Sequence, residues 1–304
     1  MNASPIRTIS AAALMDRDLP CHREILGPLL ASNASTLVYG PGGVGKSFFA
    51  LGLAWAAASG GSFLGWRAPK PHRVHFVDGE LGAVAVRERL ALFGPPPPTL
   101  QLVLPDLDEG PAIDLAQREG QYRLMESWGI PELVVLHTVS SLAALPRREG
   151  DATDSLQRFL RHQRRSGRAM VLVDEATAKG PVRSILHGLT ALDTVIALRH
   201  PRGWRPADGA RFEIHFEKTQ RLVGEDTEPL LAELLPAGPD GTAAWRWETL
   251  ARDKLERAVR LLKRGLSAEA MGDALGISRA QAFRLQARAR QRGLVPGRGE
   301  GVKR

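Results

Sequence analysis

A single cysteine, Cys21, rules out an intrachain disulfide, so the chain is expected in a reducing compartment. No apolar run approaches the roughly 20 residues of a membrane-spanning helix; the most apolar stretch, Phe48 to Ala58, is far shorter. The first twenty residues lack the apolar block of a secretory leader. There is no internal repeat, and the only low-complexity run is Pro95-Pro96-Pro97-Pro98, a stiff spacer on a turn. These absences point to a soluble, cytoplasmic protein with no membrane partner. The apolar share, 43%, is ordinary and supports a core. The 304 residues suffice for one large α/β domain and a small appendage.

Charge is placed unevenly. Residues 251–304 carry 14 Lys and Arg against 5 acids, a net of +9, which leaves the first 250 residues near −1. A near-neutral body with a strongly basic end suggests that a polyanion is bound by the tail. The plainer alternative is a solvated basic tail.

Short apolar runs alternate with helical segments from residue 35 to about 250. Strands are expected at Ser35–Tyr39, Val74–Val77, Leu100–Leu104, Leu133–Leu136, Ala169–Val173, Asp193–Leu198 and Arg211–Lys218. The first five are continuous and apolar, as strands covered on both faces should be. Helices expected over Ser47–Ala58, Ala83–Phe93, Gly120–Trp128 and Asp154–Arg165 make this a mostly parallel wound α/β sheet. Arg211–Lys218, Leu230–Leu235 and Ala244–Glu248 should close it as an antiparallel edge, with a turn at Pro236–Gly241. The expected division is an N-terminal segment 1–34, a large α/β domain 35–250, a helical domain 251–296 and a basic tail 297–304.

The strongest motif is Gly40-Pro41-Gly42-Gly43-Val44-Gly45-Lys46-Ser47, between an apolar strand and an apolar helix. Glycines let the backbone turn so that successive N–H groups face phosphate oxygens, and the helix N-terminus adds partial positive charge. In this P-loop, Lys46 bridges the terminal phosphates and the Ser47 hydroxyl ligates Mg²⁺, so ATP and Mg²⁺ are the expected cofactors. Hydrolysis also needs a carboxylate to orient water, and Glu80, in Asp78-Gly79-Glu80 after the second strand, is the candidate.

The order P-loop, Asp78-Gly79-Glu80, then Leu133-Val134-Val135-Leu136-His137-Thr138-Val139-Ser140-Ser141-Leu142 resembles the RecA-like hexameric ATPases. The nearest group is the plasmid RepA-type helicases and related ATPases of plasmids, phages and mobile elements. Leu192–Leu198 and Arg211–Lys218 extend the likeness, which covers roughly residues 20–235. It implies a RecA-like fold, a homo-oligomer in the form of a hexameric ring, and Glu80 as the catalytic glutamate. It also implies a basic residue that completes the neighbouring subunit's site from a Lys-x-Arg pattern. Here the run is Lys218-Thr219-Gln220-Arg221, one residue longer, with Arg221 the candidate finger.

Two further departures concern catalysis. Where the pattern has the Walker B aspartate that holds the water shell of Mg²⁺, this chain has His137. Where the next strand ends in a histidine pair that senses the γ-phosphate, it has Asp174-Glu175. Two accounts stay open. In one, Asp174 or Glu175 restores the missing carboxylate, with Asp174 as a metal ligand. In the other, the site binds nucleotide and hydrolyses it slowly. His137 also has a plain reading, a neutral histidine that hydrogen-bonds its neighbours.

In the tail, Leu255 to Arg264 reads as an amphipathic helix, Ser267 caps a second, Gly276-Ile277-Ser278 turns, and Arg279 to Arg292 forms a third. The pattern resembles a helix-turn-helix, with Met271, Leu275, Ile277, Ala282 and Leu285 inward and Gly272 at the crossing. It implies DNA as partner, with Ser278, Arg279, Gln281 and Arg284 reading bases and Arg288, Arg290 and Arg292 holding phosphates. The alternative is a helical hairpin used in packing or assembly. The combined reading is an ATP hydrolase coupled to DNA, as a replicative helicase or motor. Its rival is an ATP-binding DNA regulator with weak or no hydrolysis. A small-molecule kinase would need an acceptor site, and none is recognisable.

Overall fold

The computed structural model describes residues 8–19, 22–127, 129–143, 149–176 and 189–295; Cys21 and the tail 297–304 lie outside them. Nine strands form the central sheet: β1 (Ser35–Gly40), β2 (Val74–Asp78), β3 (Leu100–Val103), β4 (Leu133–His137), β5 (Ala169–Glu175), β6 (Thr194–Arg199), β7 (Arg211–Lys218), β8 (Leu230–Leu234) and β9 (Trp245–Thr249). Their order across the sheet is β9-β8-β7-β6-β1-β5-β4-β2-β3. The strands from β6 to β3 run parallel. The edge β7 to β9 is antiparallel, as the sequence predicts.

Alternation within the strands explains their apolar runs. Val38, Val171 and Val173 face one core, while Leu37, Met170 and Leu172 face another on the opposite side of the sheet. The first core holds helix α1 (Lys46–Ser59), which is buried on nearly all sides. Its outer face is covered by two short ribbons, Glu24–Leu26 with Leu30–Ala31 and Ser62–Phe63 with Trp66–Arg67, joined by a bridge between Gly27 and Arg67. Ile25, Leu26, Phe63 and Trp66 pack there, which is why α1 has no polar stripe. The first of these ribbons corrects the expected boundary at residue 35. Ile25, Leu26, Leu29 and Leu30 are core residues, so the body begins before it. Helices α2 (Ala83–Ala91) and α3 (Arg118–Glu126) follow β2 and β3 in the chain. Helix α4 (Glu149–Arg165) covers the second face with Ala152, Leu156, Phe159 and Leu160.

Three helices complete the described chain: α5 (Leu250–Lys263), α6 (Ala268–Leu275) and α7 (Arg279–Gln291). No linker separates them from the sheet. β9 passes directly into α5, whose Leu250 N–H donates to Pro229 O at 2.7 Å. Helix α5 therefore starts earlier than its apolar spacing predicts. Ala258, Met271 and Ala282 form one small core and Leu255, Ala289 and Val295 another. A Cβ on Gly272 would stand 3.0 Å from the Ala282 Cβ, which accounts for glycine at this crossing.

Candidate functional site

The P-loop closes tightly against its neighbours. Gly43 and Gly45 have φ of 74° and 108°, where a side chain would be strained. A Cβ on Gly40 would lie 2.6 Å from Leu198 O, one on Gly42 2.7 Å from Glu175 Oε1, and one on Gly45 2.8 Å from the Phe212 ring. Only bare backbone fits, and bare backbone is what a phosphate chain needs to approach closely. Helix α1 then opens at Gly45 with no side chain capping its first N–H groups. The cradle fits the phosphates of a nucleoside triphosphate.

Lys46 lies back along the loop, its ammonium donating to Gly40 O at 3.0 Å and Pro41 O at 2.9 Å. Burial pulls its pKa below the ordinary lysine value, and the charges of Glu175, Glu80 and Asp174 oppose that shift. Three of the predicted carboxylates therefore surround the predicted lysine. Glu80 is oriented by the Thr138 hydroxyl, which donates to its carboxylate. Asp174 is fully buried; its Oδ1 accepts from the Ser140 hydroxyl at 2.7 Å and from the Glu175 N–H at 2.8 Å. Ser47 sits half-buried in the first turn of α1. Among the described residues no group of three or more His, Cys, Asp or Glu is arranged to hold a metal unaided. An apolar cavity of about 650 Å³ lies elsewhere, between α2 and the β3 edge, and carries no such chemistry.

His137 is buried against Asp78. Asp78 and His137 are register partners on adjacent strands, and Nδ1 of the buried imidazole lies 3.1 Å from Asp78 Oδ1. The ring stacks on Phe76, and its Nε2 has no hydrogen-bond partner among the described residues. Asp78 Oδ2 accepts the N–H groups of Leu81 and Gly82 at 2.8 and 2.9 Å. Burial raises the Asp78 pKa, but the bonds from His137, Gly82 and Leu81 and the His137 charge outweigh it, so the carboxyl titrates below its usual 3.8. Its stabilising contribution is complete above the unfolded value and is lost as pH falls through the lower folded one. Asp78→Asn is expected to flatten the acid limb of a plot of urea midpoint against pH; an unchanged limb would contradict the pairing.

Arg221 does not join its own subunit's site. Lys218 pairs with Val195 near the start of β6, level with the start of β1, whereas Gly40 ends β1 at the opposite edge. The Lys218 ammonium donates to Leu192 O at 2.6 Å, and Arg221 is exposed just beyond.

The tail residues are brought together only in part. Ser278 and Gln281 form a reciprocal capping box at the start of α7, so the Gln281 amide oxygen is committed to the Ser278 N–H at 3.0 Å. Arg279 pairs with Glu269 at 2.6 Å. Ser278, Arg279 and Gln281 all stay exposed. Arg284, Arg288 and Arg292 are exposed, while Arg290 is half-buried. Arg284 and Arg288 line a groove between α5 and α7 that also includes Lys254.

Two features had no motif to announce them. His200, directly after β6, stacks on Trp204 with ring centroids 3.7 Å apart and 27° between planes. The register sets it level with Gly42, since Ala197 of β6 pairs with Tyr39 of β1. Further along the same loop, Arg202 packs on the α6–α7 turn: a Cβ on Gly276 would lie 2.0 Å from Arg202 Nη1.

The fold is that of the RecA-like P-loop NTPases. The chain belongs to the AAA domain family, whose model matches residues 2–180. Among solved structures, a KaiC-like protein from the hyperthermophilic archaeon Pyrococcus horikoshii OT3 is similar, with a TM-score of 0.51 and 14% identity over 73% of this chain and 93% of that one. The flagellar accessory protein FlaH from Methanocaldococcus jannaschii aligns with a TM-score of 0.49 and 13% identity, over 71% of this chain and 90% of that one. No curated protein sequence matches. No described helix is long and apolar enough to cross a membrane.

Proposed function

We propose that this chain binds and hydrolyses Mg-ATP and couples that cycle to DNA, as a RepA-like cytoplasmic replicative helicase or motor assembled as a homo-oligomeric, hexameric ring. Lys46 would meet the terminal phosphates, Ser47 would hold Mg²⁺, and Glu80 would orient the attacking water as general base. The ion neutralises phosphate charge when bound. Arg221 would act on a neighbour's nucleotide, a role that its distance from its own P-loop favours. The three C-terminal helices would dock on DNA as a helix-turn-helix, with Arg279, Arg284, Arg288 and Arg292 among their exposed cations.

The observation that carries the coupling is the contact between Arg202 and Gly276. One loop touches the P-loop at its start and the interhelical turn a few residues later. A nucleotide-dependent shift of that loop has a direct route to the helices.

The second reading, a DNA-binding regulator with weak hydrolysis, is favoured by the Asp78–His137 pair, which leaves no carboxylate at the Walker B position. ATP turnover with and without single-stranded DNA separates them. The motor requires stimulation by DNA, abolished in Lys46→Ala; a regulator binds both ligands without it. Arg284→Ala with Arg288→Ala should lower duplex affinity about tenfold or more and shallow its salt dependence, since two phosphate or base contacts are lost. Basal turnover should persist, because neither residue is near the phosphate loop. Unchanged affinity in a titration across salt concentrations would remove DNA from the assignment.

A further inference from the structure

The strand that carries the P-loop has β5 on one side and β6 on the other, and both flanks press on Gly42. From β5, the Glu175 carboxylate stands where a Gly42 side chain would be, 2.7 Å from a Cβ built there. A carboxylate cannot donate to a phosphate oxygen and repels its charge. From β6, whose Ala197 is the register partner of Tyr39, the chain runs on to His200 level with Gly42, and the imidazole is stacked on Trp204. Trp204 is in turn fixed by its indole N–H, which donates to Gly209 O at 3.2 Å. The His200 Nδ1 is buried and has no hydrogen-bond partner among the described residues. The charge of Lys46 acts on both Glu175 and His200. Lys46 is the side chain that a P-loop directs to the terminal phosphates.

We propose that His200 contacts the terminal phosphate of bound ATP within its own subunit, exchanging its place at the Gly42 backbone for a hydrogen bond to a phosphate oxygen. No proton is transferred. Burial lowers the pKa of the ring, and a neutral imidazole still donates one N–H. The contact exists for a triphosphate and is absent for a diphosphate, so His200 distinguishes ATP from ADP. The same loop then carries that distinction towards Arg202 and the Gly276 turn.

The proposal rests on the P-loop being the nucleotide site, and one set of binding measurements tests both. Full-length wild type, His200→Ala and His200→Asn are titrated with Mg-ADP and with a non-hydrolysable Mg-ATP analogue. His200→Ala should weaken the ATP analogue about tenfold or more, the scale of one hydrogen bond to a charged group, and leave ADP affinity unchanged. His200→Asn keeps a donor and should recover part of the loss. Retained ADP binding also shows that the variant is folded. Equal losses for both nucleotides would make His200 a support of the loop, and no loss for the ATP analogue would remove it from the site; either overturns the proposal. Failure of wild type to bind either nucleotide overturns the P-loop reading itself.

Discussion

Lys46→Ala is expected to lower ATP affinity by about 100-fold or more, the scale of two charge-assisted hydrogen bonds to phosphate. The surroundings of the lysine make the loss larger than the missing bonds alone. Glu175, Glu80 and Asp174 all act on this ammonium, and without it a triphosphate would meet those three carboxylates with no lysine charge between them. Stability should change little, by about 1 kcal/mol or less. The two carbonyls released belong to Gly40 and Pro41, and Pro41 is exposed, so water replaces the lost donor there. Calorimetric titration with Mg-ATP, alongside a thermal melt, checks both parts. Wild-type affinity in the variant would mean that the loop does not hold the phosphates.

The features legible in the sequence are those in which local pattern and tertiary role coincide. The parallel strands read as continuous apolar runs because each supplies both cores, and the P-loop read as a phosphate cradle because glycine spacing is itself the structure. The ribbon at Glu24–Leu26 escaped notice because it is three residues long and turns at once through Gly27-Pro28. Its role, capping an apolar helix, exists only in the fold. His200 escaped for a related reason. It follows β6 in no recognisable motif, and only the sheet order, which sets β6 beside β1, brings it to the loop.

The tail carries a further legible signal. Ser278-x-x-Gln281 is a capping-box signature legible without any structure. The cap engages the Gln281 amide oxygen and leaves the residue exposed on the same helix as Arg284 and Arg288.

The Walker B position gives the other large expected effect, and here the geometry reverses what the family resemblance implies. By resemblance, His137→Asp returns a missing carboxylate and should raise turnover. In the folded chain that carboxylate would stand beside Asp78, which now lies 3.1 Å from the imidazole in a site closed to solvent. Two buried carboxylates at that separation cannot both ionise, so one takes a proton and its pKa rises. The expected result is a loss of about 3–5 kcal/mol at neutral pH, the scale of a broken buried pair, with no gain in turnover. The deficit should shrink in acid. A carboxyl whose folded pKa is raised destabilises progressively as pH rises through that value, while wild type loses its Asp78 contribution as pH falls. Asp78→Asn combined with His137→Asp supplies an amide donor to the new carboxylate and removes the like charge. This double variant should regain most of the stability, and it is the background in which a carboxylate at position 137 can be tested for its effect on turnover. Urea midpoints of wild type, both single variants and the double variant at neutral and acid pH check this directly. A single His137→Asp variant that is as stable as wild type and hydrolyses ATP faster would show that Asp78 and His137 are not held as a pair.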